Sequence, residues 1–223
     1  MLTLVIFAPL LGALALVSMQ RLTEGQARAL AAGIAVLPLL ALLIVLWRFD
    51  PAAQAFQSVA EVRWIPSLGV AWRVGVDGIA LAIALMSALL FLAAIAWPAE
   101  TQGRARQYYA WFLFLEGTSL GVFLTLDLLV FYVFFDLSLV GMYFLIGRWG
   151  HGDAGRSALK FFIYTLAGSL AILLAILGLV LVTKPLTFDM RTLIATQPLG
   201  DLDLRAGLVL LGFVLGFAIK TPL

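Results

Sequence analysis

Three ionisable residues lie inside long apolar runs, where a charge is costly and marks transport or a bonded structural group. Asp136 sits in Leu128-Leu129-Val130-Phe131-Tyr132-Val133-Phe134-Phe135-Asp136-Leu137-Ser138-Leu139-Val140-Gly141-Met142-Tyr143-Phe144-Leu145-Ile146. Counted from Asp127 at one end, and at the helical rise per residue, it is about 13–14 Å deep, near the middle of a bilayer. Glu116 and Asp136 stand ten residues either side of Leu126. An antiparallel hairpin turning there brings both carboxyls to one depth. If they face each other they form one coupled site. If they do not, Glu116 is a protonated group bonded within a bundle, and Asp136 has the same structural alternative. Lys220 lies fifteen residues past Arg205, about 22 Å along a helix. A lysine that deep is a proton carrier, because burial makes an amine give up its proton readily. If its helix ends at the bilayer surface, it is only an interfacial charge.

Two further residues are weaker candidates. Lys160, in Arg156-Ser157-Ala158-Leu159-Lys160-Phe161-Phe162, is near enough to a helix start to reach the headgroups along its stem. It reads equally as an anchor or as a relay. His151 is the only histidine and lies in a hydrophilic loop, solvated and able to collect protons. With no cysteine in the chain, iron–sulfur clusters and histidine- or thiolate-bound metals are excluded from it.

The elements that position these groups are membrane helices. The chain has 223 residues, 64% hydrophobic and 12% charged, with a mean hydropathy of +1.11. That leaves too little polar surface for a soluble domain. Its apolar runs are continuous, without the alternation of barrel strands, so the fold class is all-α: a polytopic transmembrane bundle. Seven segments approach the roughly 20 residues a crossing needs: about 2–19, 29–47, 78–97, 108–125, 128–146, 159–182 and 206–223. The first carries no charged leader and no clear cleavage site, and reads as a retained helix. Residues 1–223 form one transmembrane domain.

Short connections between segments 1–2, 3–4 and 5–6 hold Arg21, Arg28, Arg104, Arg106, Arg148 and Arg156. The long 2–3 and 6–7 connections mix Arg63, Arg73, Lys184 and Arg191 with Glu61, Asp77, Asp189, Asp201 and Asp203. Basic density in short loops places that side in the cytoplasm and the N-terminus outside. The expected location is a bacterial inner membrane. Thr187 caps a short predicted helix, with Asp189 in its first turn and Phe188, Met190, Leu193 and Ile194 in the headgroup layer. Trp47, Trp64, Trp97, Trp111 and Trp149 fall near predicted helix ends or in flanking loops, as an aromatic belt requires.

The runs Asp127–Gly150 and Arg156–Ser169, then Gly216-Phe217-Ala218-Ile219-Lys220-Thr221-Pro222, with Gly75-Val76-Asp77-Gly78-Ile79 earlier, resemble one family over nearly the whole chain. They look like the N-terminal half of the antiporter-like subunit of respiratory complex I known as chain M, or subunit 4 in mitochondria. Multisubunit sodium/proton antiporters and membrane-bound hydrogenases share that scaffold. The resemblance implies about fourteen helices in two inverted repeats, so the family continues past Leu223 to a broken helix and a second half. It implies that a carboxylate on the fifth helix pairs with a lysine on the seventh, here Asp136 and Lys220, with Lys160 at a commonly basic position. It implies proton translocation coupled to quinone reduction, with NADH, flavin, iron–sulfur clusters and quinone on other subunits and no cofactor in this chain. Neighbouring antiporter-like subunits and lipid are the implied partners; nucleic acid is not. Asp136 stands where the family has glutamate, and Gly141 where it usually has proline. The rival readings are a redox-free sodium/proton antiporter subunit and a structural fragment that moves no ions.

Overall fold

A computed structural model describes residues 1–19, 21–53, 55–200 and 203–221. Pro222, which ends the family-like motif, Leu223 and Asp201 lie outside the described residues. The chain runs α1 (Leu2–Ser18), α2 (Glu24–Trp47), a hairpin of β1 (Gln57–Ile65) and β2 (Val70–Val76), α3 (Gly78–Ala96), α4 (Ala105–Leu124), α5 (Leu128–Trp149), α6 (Ala154–Val180), the short α7 (Met190–Thr196) and α8 (Leu204–Lys220). Helices α2, α3, α5 and α6 are long and apolar enough to cross a membrane by themselves. The 17-residue α1 and α8 and the 20-residue α4 pack alongside them.

These seven long helices match the seven predicted segments, with ends displaced by local chemistry. Helix α2 starts a turn early because Thr23 and Gln26 form a reciprocal capping box. Pro9 and Pro38 remain inside α1 and α2, as membrane helices permit. The helix after the sixth crossing is capped by Asp189, which accepts from the Arg191 amide; Thr187 was the expected cap. Thr187 is instead drawn into the turn before it, where its hydroxyl accepts from the Asp189 amide. Phe188 and Leu193 are buried in the protein core while Ile194 is exposed, so only part of this segment faces the headgroups.

Helix α4 is the hub, packed against α1, α2, α3 and α5; α6 then joins α5 to α8. The α6–α8 contact depends on small residues. A Cβ at Gly212 would stand 2.9 Å from the Ala171 carbonyl, and one at Gly216 would overlap Ile172. Close backbone approach through small residues is the usual way helices associate in lipid.

The hairpin was not evident from the sequence. Its strands are antiparallel, with irregularities near Gln57/Ala60 and Arg63/Ile65. Val70, Ala71, Val74 and Val76 of β2 bury against the helices, while β1 leaves Val62 and Trp64 outside. At the tip Gly69 adopts φ +71°, and the Leu186 carbonyl approaches so closely that no side chain could fit there.

Candidate functional site

One end of the bundle is an ion-pair lock. Asp127 is fully buried between α4 and α5. One of its oxygens accepts from the Leu129 and Val130 amides, capping α5; the other accepts from the Ala71 amide at 3.1 Å and the Arg73 guanidinium at 2.7 Å. Arg73 also pairs with Glu61 at 3.0 Å and Asp189 at 3.6 Å. Arg191 joins Glu61 at 3.0 Å and Asp189 at 2.7 Å. Backbone bonds run in parallel, from Leu126 to Arg73, Leu128 to Phe188 and Met190 to Leu126. The hairpin, the α4–α5 turn and the α6–α7 connection are thereby tied together, and the start of α5 is fixed in depth.

Charge in this lock follows from its packing. Burial works against the charged forms of Glu61 and Asp189, but Arg191 and Arg73 outweigh it and hold both carboxyls below their ordinary values. Asp189, with Glu61, holds the Arg191 guanidinium above its usual range. Asp127 is deeper, and burial pushes its carboxyl up despite the amides and Arg73. The Ala71 and Arg73 partners of Asp127 lie more than fifty residues away, beyond any local signal.

Lys220 reaches the bundle interior from the last turn of α8. Its Nζ stands 3.3 Å from Ser138 Oγ and 4.1 Å from the centre of the Phe135 ring. Helical side chains lean towards the helix N-terminus, so the amine points back into the bilayer from a backbone near the opposite surface. Asp136 lies between Phe135 and Ser138 on α5, the two residues that meet the amine. Among the described residues no carboxylate lies within ion-pair distance of Lys220. The expected direct Asp136–Lys220 contact is therefore absent from this arrangement, and Ser138 occupies that place. Asp136 is half-buried and its Oδ1 has no hydrogen-bond partner. One turn earlier on the same helix stands Tyr132. Ser138 is a residue at this place that sequence reasoning missed, because a hydroxyl two positions from Asp136 carries no local signal.

The other candidates lie apart. Glu116 is wholly buried on α4 with neither oxygen partnered. On either side of it, Leu115 packs against Gly141 of α5 and Gly117 against Ile6 and Leu10 of α1. Equal depth therefore comes with no hydrogen bond between the two carboxyls. Gly141, where the family usually has proline, leaves α5 continuous, and a Cβ there would be 2.6 Å from Leu115. Lys160 is exposed near the start of α6 and His151 is exposed in the loop before it.

Residues 125–223 match a family model described as "NADH:quinone oxidoreductase/Mrp antiporter, TM". Over that stretch the chain resembles the family. It is similar to NADH-quinone oxidoreductase subunit M of Rhodobacter capsulatus, 34% identical over 100% of this chain and 46% of the relative. It is also similar to F(420)H(2) dehydrogenase subunit M of Methanosarcina mazei, 36% identical over 78% of this chain and 36% of the relative. Among solved structures it resembles a chain of respiratory complex I from Thermus thermophilus, with a TM-score of 0.84 and 30% identity, covering 100% of this chain and 44% of that one. The chain thus spans about a third to a half of the length of the curated relatives it matches. It is a multi-pass membrane protein with the subunit M architecture.

Proposed function

We propose that this chain is part of a proton-translocating membrane subunit of an NADH:quinone oxidoreductase, and that Asp136, Lys220 and Lys160 carry protons through it, with Glu116 as a separate buried carboxyl. The observation that carries this reading is Lys220, whose amine is held inside the bundle on Ser138, two residues along α5 from Asp136. An amine and a carboxylate in a low-dielectric interior attract strongly when in contact. Separating them leaves two costly charges, and the departure of a proton from the lysine relieves that cost. Ser138 gives the lysine a second resting place, so the pair has a closed state on Asp136 and an open state on Ser138. Charge changes along the membrane arm shift it between the two. The redox groups belong to other subunits, and the neighbours are other antiporter-like subunits in a bacterial inner membrane.

The family description also covers antiporters, which exchange ions without electron transfer. Inverted vesicles carrying the assembled complex distinguish the two readings. Proton uptake driven by NADH oxidation, lost in Lys220→Ala while electron transfer to an artificial acceptor persists, is expected. Sodium-dependent proton exchange driven by an imposed gradient, without any response to NADH, would overturn the proposal in favour of the antiporter.

A further inference from the structure

Helices α1 and α5 stand apart on either side of α4, leaving a groove of roughly 920 Å³ along that seam. One wall is a stripe of α1: Phe7, Leu11, Leu14 and Val17, all exposed. The other wall and floor include Phe114 and the stacked pair Trp111–Phe144, whose rings are 4.6 Å apart. From Phe7 to Val17 the groove follows α1 for about 15 Å, the hydrocarbon depth of one leaflet of a roughly 30 Å core. Its rim carries Arg104, Gln107, Arg148 and Trp149. This end is fixed by bonds among neighbouring loops: Trp149 Nε1 donates to the Thr101 carbonyl at 3.0 Å and Arg106 donates to the Met19 carbonyl. Arg104 and Arg148 are exposed, and neither has a carboxylate partner among the described residues.

We infer that this groove is a binding site for an anionic phospholipid, its acyl chain along α1 and its phosphate between Arg104 and Arg148. A bare apolar groove would accept any lipid tail or a neighbouring apolar helix. Two unpaired guanidiniums at the headgroup end of a leaflet-deep groove select a negatively charged phosphate, and Gln107 supplies further polar atoms at the same level. A helix from another subunit would instead place hydrocarbon against both arginines. This assignment does not depend on the proton-handling proposal.

The test uses the assembled membrane complex in phosphatidylcholine nanodiscs, with phosphatidylglycerol or phosphatidylcholine carrying a photoactivatable group in the acyl chain. Cross-links are mapped by peptide mass spectrometry. Phosphatidylglycerol is expected to label peptides containing Leu11, Leu14 and Phe144 roughly tenfold more than phosphatidylcholine, given the pull of two basic groups on an anionic headgroup. The R104Q/R148Q variant should lose that preference. R21Q/R156Q, which removes two charges from the same face outside the groove, should keep it, and excess inorganic phosphate should not compete. Equal labelling by both lipids in the unaltered complex would overturn the inference, a measurement that needs no variant to assemble. Displacement by free phosphate, or cross-links from these residues to a neighbouring subunit in place of lipid, would overturn it as well.

Discussion

At the scale of single residues, the informative groups are those whose polar atoms go unmet. Glu116 has two buried oxygens and no partner, although unmet buried groups normally cost about 1–3 kcal/mol each. It therefore does not bond a neighbouring helix, which was one of the two readings its sequence position allowed. Glu116→Leu should assemble at least as well as the parent and be more stable by about 1–3 kcal/mol, while proton translocation slows several-fold. Native gels and vesicle pumping assays read the two effects. Failed assembly with residual pumping per assembled complex unchanged would make Glu116 structural. Asp136 and Lys220 were legible because charge in an apolar run stands out from any single sequence. Ser138 was not, because hydroxyls are cheap in membrane helices, where they bond back to the preceding turn, as Ser138 does to Phe135. Only a folded neighbour reveals which hydroxyl matters.

At the scale of elements, helices were legible and their ties were not. Apolar run length gave seven crossings, since the bilayer sets that length. Residues 57–76 gave no such signal, because β1 and β2 alternate poorly and their register is broken by irregularities. Aspartates cap every helix from α3 onward that starts at the hairpin face: Asp77, Asp127, Asp189 and Asp203. Carboxylates there also favour the helix N-terminal dipole. The lock built on Asp127 predicts that Arg73→Gln, which strands that buried carboxylate, destabilises the hairpin attachment by about 3–5 kcal/mol. Hydrogen exchange across residues 70–76 measures it, and a loss below about 1 kcal/mol, the value of an exposed pair, would contradict the lock. The same attachment should weaken in acid. Glu61 and Asp189 have carboxyls held below their ordinary values of 4.5 and 3.8. Their stabilisation is complete above those values and is lost as pH falls through the lower folded ones. Asp127, shifted upward, does not add to this window. Protection of the hairpin amides should fall below about pH 4, and less steeply in Asp189→Asn; protection unchanged down to about pH 2 would contradict the assignment.

At the scale of the whole molecule, orientation and pumping depend on how charge is distributed between the two faces. Raw counts of basic residues are nearly balanced, but Arg73 and Arg191 on the hairpin face are neutralised by Glu61, Asp127 and Asp189. The arginines of the other face include exposed Arg21, Arg104, Arg148 and Arg156, so the cytoplasmic side is expected there. In intact cells an impermeant thiol reagent should label Ser67→Cys on the hairpin turn and not Gly103→Cys; the reverse pattern would refute this orientation. The central claim is that a carboxylate at position 136 switches Lys220 between two sites. Asparagine keeps the shape of Asp136 without its charge, whereas glutamate restores the family's residue and adds about 1.5 Å of reach. The double variant with Lys220→Ala should be little worse than either single one, because groups acting as a unit are non-additive. The decisive measurement is proton translocation by the assembled complex in vesicles carrying Asp136→Asn or Asp136→Glu, with assembly checked on native gels. Severe loss with asparagine and retention with glutamate are predicted; normal pumping by a normally assembled Asp136→Asn complex would contradict the account.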